Sequence, residues 1–427
     1  MKAKLIFQTP DDGHHYYFGY YDKSPLSKDR GKLLALRVSF IDRVPDANDV
    51  ATIGYFDLEK SNQFVELSHT HTFNWQQGCM LQWLGPDHSN KIIYNDLVDG
   101  AFCSVIFDIT NAEKRILPMA IYSVFSDGSK ALCIDNERHH WCRRGYSYDG
   151  IYNESKNKNI VPGDGIFTLD LNNGDTSQII TIEQMNKIKP LSTMNEGPNY
   201  LEHLMVNPSG TRFAFLHRWK NFGGIYARLY VADTEGSNIT LLNDTGRMSH
   251  FCWKNDTEIL GWGGLRNPFN LLRSYKSFAK YVIKPLMPLY RRLAKGDSVE
   301  GNSVISRVTS GDSYVVFDIN TGKSRRILPR HLNKDGHPSV CPTNESVFLS
   351  DTYPGSEHKC QLLTVNMESG EIFELDRLDS LPEYDNSPIR CDLHPKWSFC
   401  GGYVSVDTMH EGRRSIYLYE IERSGSA

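Results

Sequence analysis

The sequence predicts an all-β protein, a seven-bladed β-propeller closed by its N-terminal strand. Three observations lead there. One hairpin phrase recurs seven times, most clearly as Glu202-His203-Leu204-Met205-Val206-Asn207-Pro208-Ser209-Gly210-Thr211-Arg212-Phe213-Ala214-Phe215, an apolar strand, a Pro/Ser/Gly turn and a second strand of alternating side chains. The copies are followed by further short apolar strands, many ending in Asp or Asn before a turn, which is how a propeller blade is written. The last copy lacks an outer strand, and residues 4–8 at the opposite end of the chain can supply it, removing a free sheet edge.

In chain order, the first copy is Tyr20-Tyr21-Asp22-Lys23-Ser24-Pro25, continued by strands at 51–57 and 63–67. The second is Met80-Leu81-Gln82-Trp83-Leu84-Gly85-Pro86, with a strand at 104–108. The third, from Ile121, continues at 165–170, and the fourth, from His203, at 227–233 and 239–242. The fifth starts at His250; the sixth starts at His337 and continues at 360–366; the seventh starts at His394, with 403–406 and 415–419 after it. Copies recur roughly every 40 to 90 residues, so the single propeller domain, 1–427, carries insertions, at 136–162 and 264–303. The first insertion is rich in Arg, His and Tyr. Within the second, 268–295 contains no acidic residue and spaces its Lys and Arg among apolar residues at near-helical intervals. It reads as a basic amphipathic helix, either packed on the propeller or in peripheral contact with an anionic membrane.

Composition narrows the setting. A net charge of −4 and a pI near 6.4 give no basis for nucleic acid as a partner. The N-terminus lacks the apolar core of a signal peptide, and no stretch approaches 18 uninterrupted apolar residues. Nine cysteines, an odd number without tight pairing, suit a reducing compartment. A cytoplasmic protein is expected.

When the copies are superimposed on their turns, the first position reads Tyr20, Met80, Ile121, His203, His250, His337, His394. The first strand of each blade lines the central channel, so four histidines at one register converge on a common axis. Neutral imidazole is the commonest transition-metal ligand, and a site needs several donors converging. Asp392, two residues before His394, faces the same side and adds a carboxylate. The second hairpin strand returns to the same end with His217-Arg218-Trp219 in the fourth copy and Asp351-Thr352-Tyr353 in the sixth. A guanidinium at Arg218 beside imidazoles suits an acidic substrate, although a salt bridge to a neighbouring blade is the alternative. His14, His15, Gln77, Tyr200 and Tyr353 are further polar candidates at this face, joined by His140 and Arg144 of the first insertion. A P-loop, a dinucleotide-binding glycine fingerprint, a nucleophile elbow and a Cys-x-x-Cys pair are all missing, which disfavours nucleotide and redox chemistry.

Through Gly19-Tyr20-Tyr21-Asp22-Lys23-Ser24-Pro25, Arg144-Gly145-Tyr146-Ser147-Tyr148, Phe215-Leu216-His217-Arg218-Trp219 and the His-Pro strands at His337 and His394, the chain resembles the seven-bladed oligogalacturonate lyases and their ulvan-lyase relatives over nearly its whole length. The resemblance implies β-elimination at a uronate of an acidic oligosaccharide or polysaccharide. Arg218 would neutralise the carboxylate, and His250 would be the base, with Tyr200 second in line and His203 beside them. His337 and His394, joined by Asp392, would hold a divalent metal ion, Mn2+ or Zn2+. The galacturonate lyases carry a further Gln and His around the last pair, where this chain has Pro388-Ile389-Arg390-Cys391-Asp392. The expectation is a metal-assisted polysaccharide lyase. The alternative is a non-catalytic carbohydrate-binding or scaffold propeller in bacterial surface-polysaccharide assembly. A hydrolase would need two carboxylates flanking a bond, for which Asp351 and Asp392 are the candidates.

Overall fold

A computed structural model describes residues 1–60, 62–221, 224–265 and 311–422, with isolated positions at 275, 281, 282, 285, 286 and 288. It contains seven antiparallel four-stranded sheets, each built from strands consecutive in sequence except the last. Blade 1 comprises His15–Tyr17, Lys32–Val38, Ala51–Asp57 and Gln63–Thr70; blade 2, Gln82–Trp83, Lys91–Val98, Ala101–Asp108 and Lys114–Leu117. Blade 3 has Ser123–Val124, Lys130–Ile134, Gly165–Asp170 and Thr176–Thr181; blade 4, Asn199–Val206, Arg212–Asn221, Gly224–Asp233 and Thr240–Asn243. Blade 5 has Met248–Trp253, Glu258–Gly264, Asp312–Asp318 and Ser324–Ile327; blade 6, Ser339–Cys341, Asn344–Asp351, Lys359–Asn366 and Ile372–Asp379. Blade 7 runs Lys396–Trp397, Tyr403–Thr408 and Ser415–Glu422, and its fourth strand is Lys2–Gln8, paired antiparallel to Ser415–Glu422. The expected closure is therefore present.

The blades pack face to face, so their middle strands are apolar on both sides rather than alternating. In blade 4 every side chain from Phe213 to Trp219 is buried. The core is a ring of inter-blade layers. Leu349 and Leu362 meet Val404 and Tyr417 between blades 6 and 7, and Leu216 and Leu229 meet Phe251 and Ile259 between blades 4 and 5. Outer strands face solvent, as in Lys114–Leu117, where only Leu117 is buried.

A repeated device ties neighbouring inner strands. Trp83, Trp253 and Trp397 each stand three residues after the shared register position and donate Nε1–H to a carbonyl of the preceding blade. The acceptors are Pro25 (2.8 Å), Met205 (2.8 Å) and Ser339 (3.0 Å).

One expectation changes. The first hairpin copy is not a regular strand: His15–Tyr17 forms the inner strand of blade 1, and 20–25 runs on as turns, with one bridge from Leu26 to Leu33. The chain leaves that strand through Gly19, at φ +119° and so close to Gln77 that a Cβ would lie 2.7 Å from its carbonyl carbon. Most of 268–295 and of 264–303 lies outside the described residues. Among those described, no helix is long and apolar enough to cross a membrane. The insertion at 136–162 contributes a short helix, α1, Asn136–Cys142, capped by the Asp135 carboxylate accepting from Arg138 N–H.

Candidate metal centre and active site

The four histidines do converge. The His250 and His337 rings are 4.2 Å apart, those of His337 and His394 4.3 Å, and those of His203 and His250 6.1 Å. All four are buried. Backbone geometry aims them inward. His203 and His394 adopt left-handed φ values of 53° and 44°, uncommon for residues other than glycine, and register shifts at Glu202/Met205 and Met248/Phe251 break the alternation of blades 4 and 5. Tyr20 and Tyr21 of blade 1 complete the ring. Tyr20 Oη meets His203 Nε2, and the Tyr21 ring centroid is 5.3 Å from that of His337.

His337, His394 and Asp392 form a donor set whose ligand atoms lie within 4.8 Å of one another. His337 Nδ1 is 2.9 and 3.0 Å from the two Asp351 carboxylate oxygens, which also accept the backbone N–H groups of His337 (2.7 Å) and His394 (3.1 Å). Asp351 thus orients both histidines, as a carboxylate behind a metal-binding imidazole does. Burial pulls the His337 imidazole down, but the Asp351 carboxylate outweighs it and holds it above its ordinary pKa. Burial, then the His337 charge, holds His394 well below its own. His394 Nε2 is buried with no hydrogen-bond partner, an orphan that a metal ion would satisfy. Two imidazoles and a carboxylate suit a divalent transition metal, so the residues fit the group expected. Asp392 is also gripped by Arg390, Nε at 2.5 Å and Nη2 at 2.8 Å. Burial raises the Asp392 carboxyl, but Arg390 overrides it and holds it below the usual range.

His250 donates from Nδ1 towards Asp335 (3.2 Å), with Ser249 Oγ at 3.1 Å, which leaves Nε2 as the basic nitrogen. Burial, then the charges of His337 and Arg218, keeps this imidazole neutral. Burial likewise pushes Asp335 up to about 6.

Arg218 corrects the expectation of a free guanidinium. Its Nε is 2.6 Å from Glu202 Oε1, and Arg143 of the insertion reaches the same oxygen. His139 Nε2 is 3.1 Å from the other oxygen and His203 Nδ1 is 3.5 Å from the first. Burial drives the Glu202 carboxyl up, but Arg143 and Arg218 prevail and hold it well below the usual range. One buried carboxylate therefore faces two guanidiniums, leaving a positive excess beside His250.

The remaining candidates divide. Tyr353 stands at the site, its ring centroid 5.8 Å from that of His337 and 4.6 Å from Arg390 Cζ. Tyr200 is buried with a partnerless hydroxyl, paired in the ladder with Arg218, and burial raises its phenol far above neutrality. Gln77 is structural: its Nε2 donates to Tyr122 Oη (3.0 Å), which accepts the His203 backbone N–H. His14 lies 3.4 Å from Asp12, and His15 is influenced by Arg413 and Arg414 of blade 7; neither joins the histidine cluster. His140 turns to Asp149 (3.6 Å) and Arg144 to the Trp141 ring. Asp351 and Asp392 are committed to His337 and Arg390, so they form no free hydrolytic pair. Sequence reasoning missed Glu202, Arg143, His139 and Asp335 as site residues. A charged residue inside the apolar run of an inner strand was the available signal for Glu202.

The ring of seven blades and this channel-mouth cluster can be compared with solved structures. An oligogalacturonate lyase in complex with manganese superimposes with a TM-score of 0.62 over 99% of both chains, at 15% identity. The fold is that of oligogalacturonate lyase. A second such lyase, from Vibrio parahaemolyticus, gives 0.58 over 99% of this chain and 97% of that one, at 12% identity. Hydrazine synthase from Kuenenia stuttgartiensis gives 0.50 over 95% and 96%, at 9% identity. No family model and no curated protein sequence matches the chain. At these identities the likeness to the oligogalacturonate lyases is one of fold.

Proposed function

We propose that this protein is a metal-assisted lyase that cleaves uronate-containing glycans by β-elimination. The observation that carries the reading is the buried His337–Asp392–His394 set, backed by Asp351, with neutral His250 packed against it. The manganese complex of the structurally similar oligogalacturonate lyase supports a divalent ion at such a site. Held by His337, His394 and Asp392, that ion would supply Lewis-acid neutralisation of the uronate carboxylate. The positive excess of Arg143 and Arg218 over Glu202 adds to the attraction for that carboxylate. His250 Nε2 takes the proton from C5, with Asp335 fixing the tautomer through Nδ1. The electron pair of the C5–H bond becomes the C4–C5 double bond, the C4–O bond breaks, and the departing oxygen collects a proton.

The product absorbs in the ultraviolet. Wild-type protein with Mn2+ should generate that absorbance from a polyuronate, and chelator should abolish it. His250→Ala should lower turnover by about 10²–10⁴, the worth of a general base. An active His250→Ala would remove the base assignment, and a silent wild type on every uronate polymer would remove the lyase reading. The engagement of Arg218 with Glu202 favours one other reading, a carbohydrate-binding propeller without turnover; uronate binding without unsaturated product would mark it.

A further inference from the structure

We propose that the insertion at 136–162 carries a second binding site, a platform on its outer side for a further stretch of an acidic oligosaccharide. The choice of ligand class rests on the lyase reading, but the platform stands on its own geometry. Helix α1 has two faces. Asn136, Arg138, His139 and Cys142 are buried, and His139 and Arg143 reach inward to Glu202. Trp141 and Arg144 turn the other way. Lys156, from the following loop, places Nζ 4.7 Å from the Trp141 ring centroid and 4.5 Å from that of Tyr152, while Arg144 Cζ lies 5.0 Å from Trp141. The two rings are 6.1 Å apart at 70°, and Tyr152 is 65% exposed.

Neither cation has a carboxylate or side-chain hydrogen-bond partner among the described residues, and Asp149 is turned to His140 instead. Exposed lysines and arginines ordinarily extend into water. Here the aromatic faces hold exposed Arg144 and half-buried Lys156 together without a carboxylate partner, which concentrates positive potential beside the exposed Tyr152 ring and the half-buried Trp141 ring. A ligand matching both features presents flat apolar C–H faces for the rings and repeated carboxylates for the cations. A uronate oligomer has this chemistry, and the insertion supplies both the platform and the His139 and Arg143 side chains that reach Glu202, so one chain can engage the two.

The test is calorimetric titration of the full-length protein in chelator, which stops turnover, with digalacturonate, hexagalacturonate, a neutral hexasaccharide and single-stranded DNA. The wild type should bind hexagalacturonate most tightly. Lys156→Glu and Tyr152→Ala, both surface changes, should each weaken that binding about tenfold, as loss of a charge-assisted or aromatic contact does, and should change digalacturonate binding much less. Unaltered hexagalacturonate affinity in both variants, or equal wild-type affinity for the neutral sugar or the DNA, overturns the platform. Platform-dependent binding by a protein that forms no unsaturated product would retain this site and sink the lyase reading. Elimination by variants of unaltered affinity would do the reverse.

Discussion

Glu202 is the residue on which the polar site balances. Fully buried, it compensates Arg143 and Arg218 together. Glu202→Gln leaves two buried guanidiniums without a counter-charge, so unfolding in denaturant should show a loss of about 3–5 kcal/mol, the cost of breaking a buried ion pair. Acid should also find this site. The Glu202 carboxyl lies below its ordinary pKa, so its contribution is complete above the unfolded-state value and disappears as pH falls through the lowered one. His217 acts in the same direction. Buried against Asn199, it is pushed down to about 3 by burial, then by the Arg228 charge. The unfolded chain therefore binds its proton first, and stability declines as pH falls from about 6.5. One such group contributes up to ~1.4 kcal/mol per pH unit in that window. His217→Gln keeps an N–H donor but cannot titrate, and should flatten the denaturation free energy plotted against pH between 6 and 4.

At the scale of the element, the inner strands are short, only two residues in blades 2, 3 and 7, too short for their own ladders to hold them in register. The tryptophan bridges between blades supply part of what is missing. Trp253→Phe keeps most of the buried surface but removes the 2.8 Å bond to the Met205 carbonyl. Stability measured by chemical denaturation should fall by about 1 kcal/mol, the net worth of one hydrogen bond. The left-handed residues within these segments have another role. By strict alternation Glu202 and His203 would point to opposite faces; the bulge and the φ of 53° at His203 let both reach the polar cluster. Backbone strain here accompanies the site it builds.

For the whole molecule, the N-terminal strand makes blade 7 from both chain ends, and the metal set draws on blades 6 and 7 with His250 from blade 5. An ion bound only by the closed ring stabilises that ring through mass action. Adding Mn2+ at 100 times its dissociation constant should stabilise the protein by about 2.7 kcal/mol, read as a rise in the thermal midpoint. His394→Ala should remove that rise. A midpoint indifferent to Mn2+ in the wild type would leave the orphaned His394 Nε2 without its proposed partner.

The sequence by itself determined the number of blades, the closure by residues 4–8 and the meeting of His203, His250, His337 and His394. All of these follow from register, because a repeat that folds the same way each time places equivalent residues around one axis. Only the tertiary structure decided what each side chain touches. Arg218 reads as a free guanidinium because nothing in its own strand opposes it, yet it pairs with Glu202 across the ladder, alongside Arg143 from an insertion fifty-nine residues earlier. Asp351 reads as a spare carboxylate and instead fixes two histidines, one of them forty-three residues away. Such partnerships depend on bulges, left-handed residues and the rotation between blades, none of which has a two-residue period to be read from the chain.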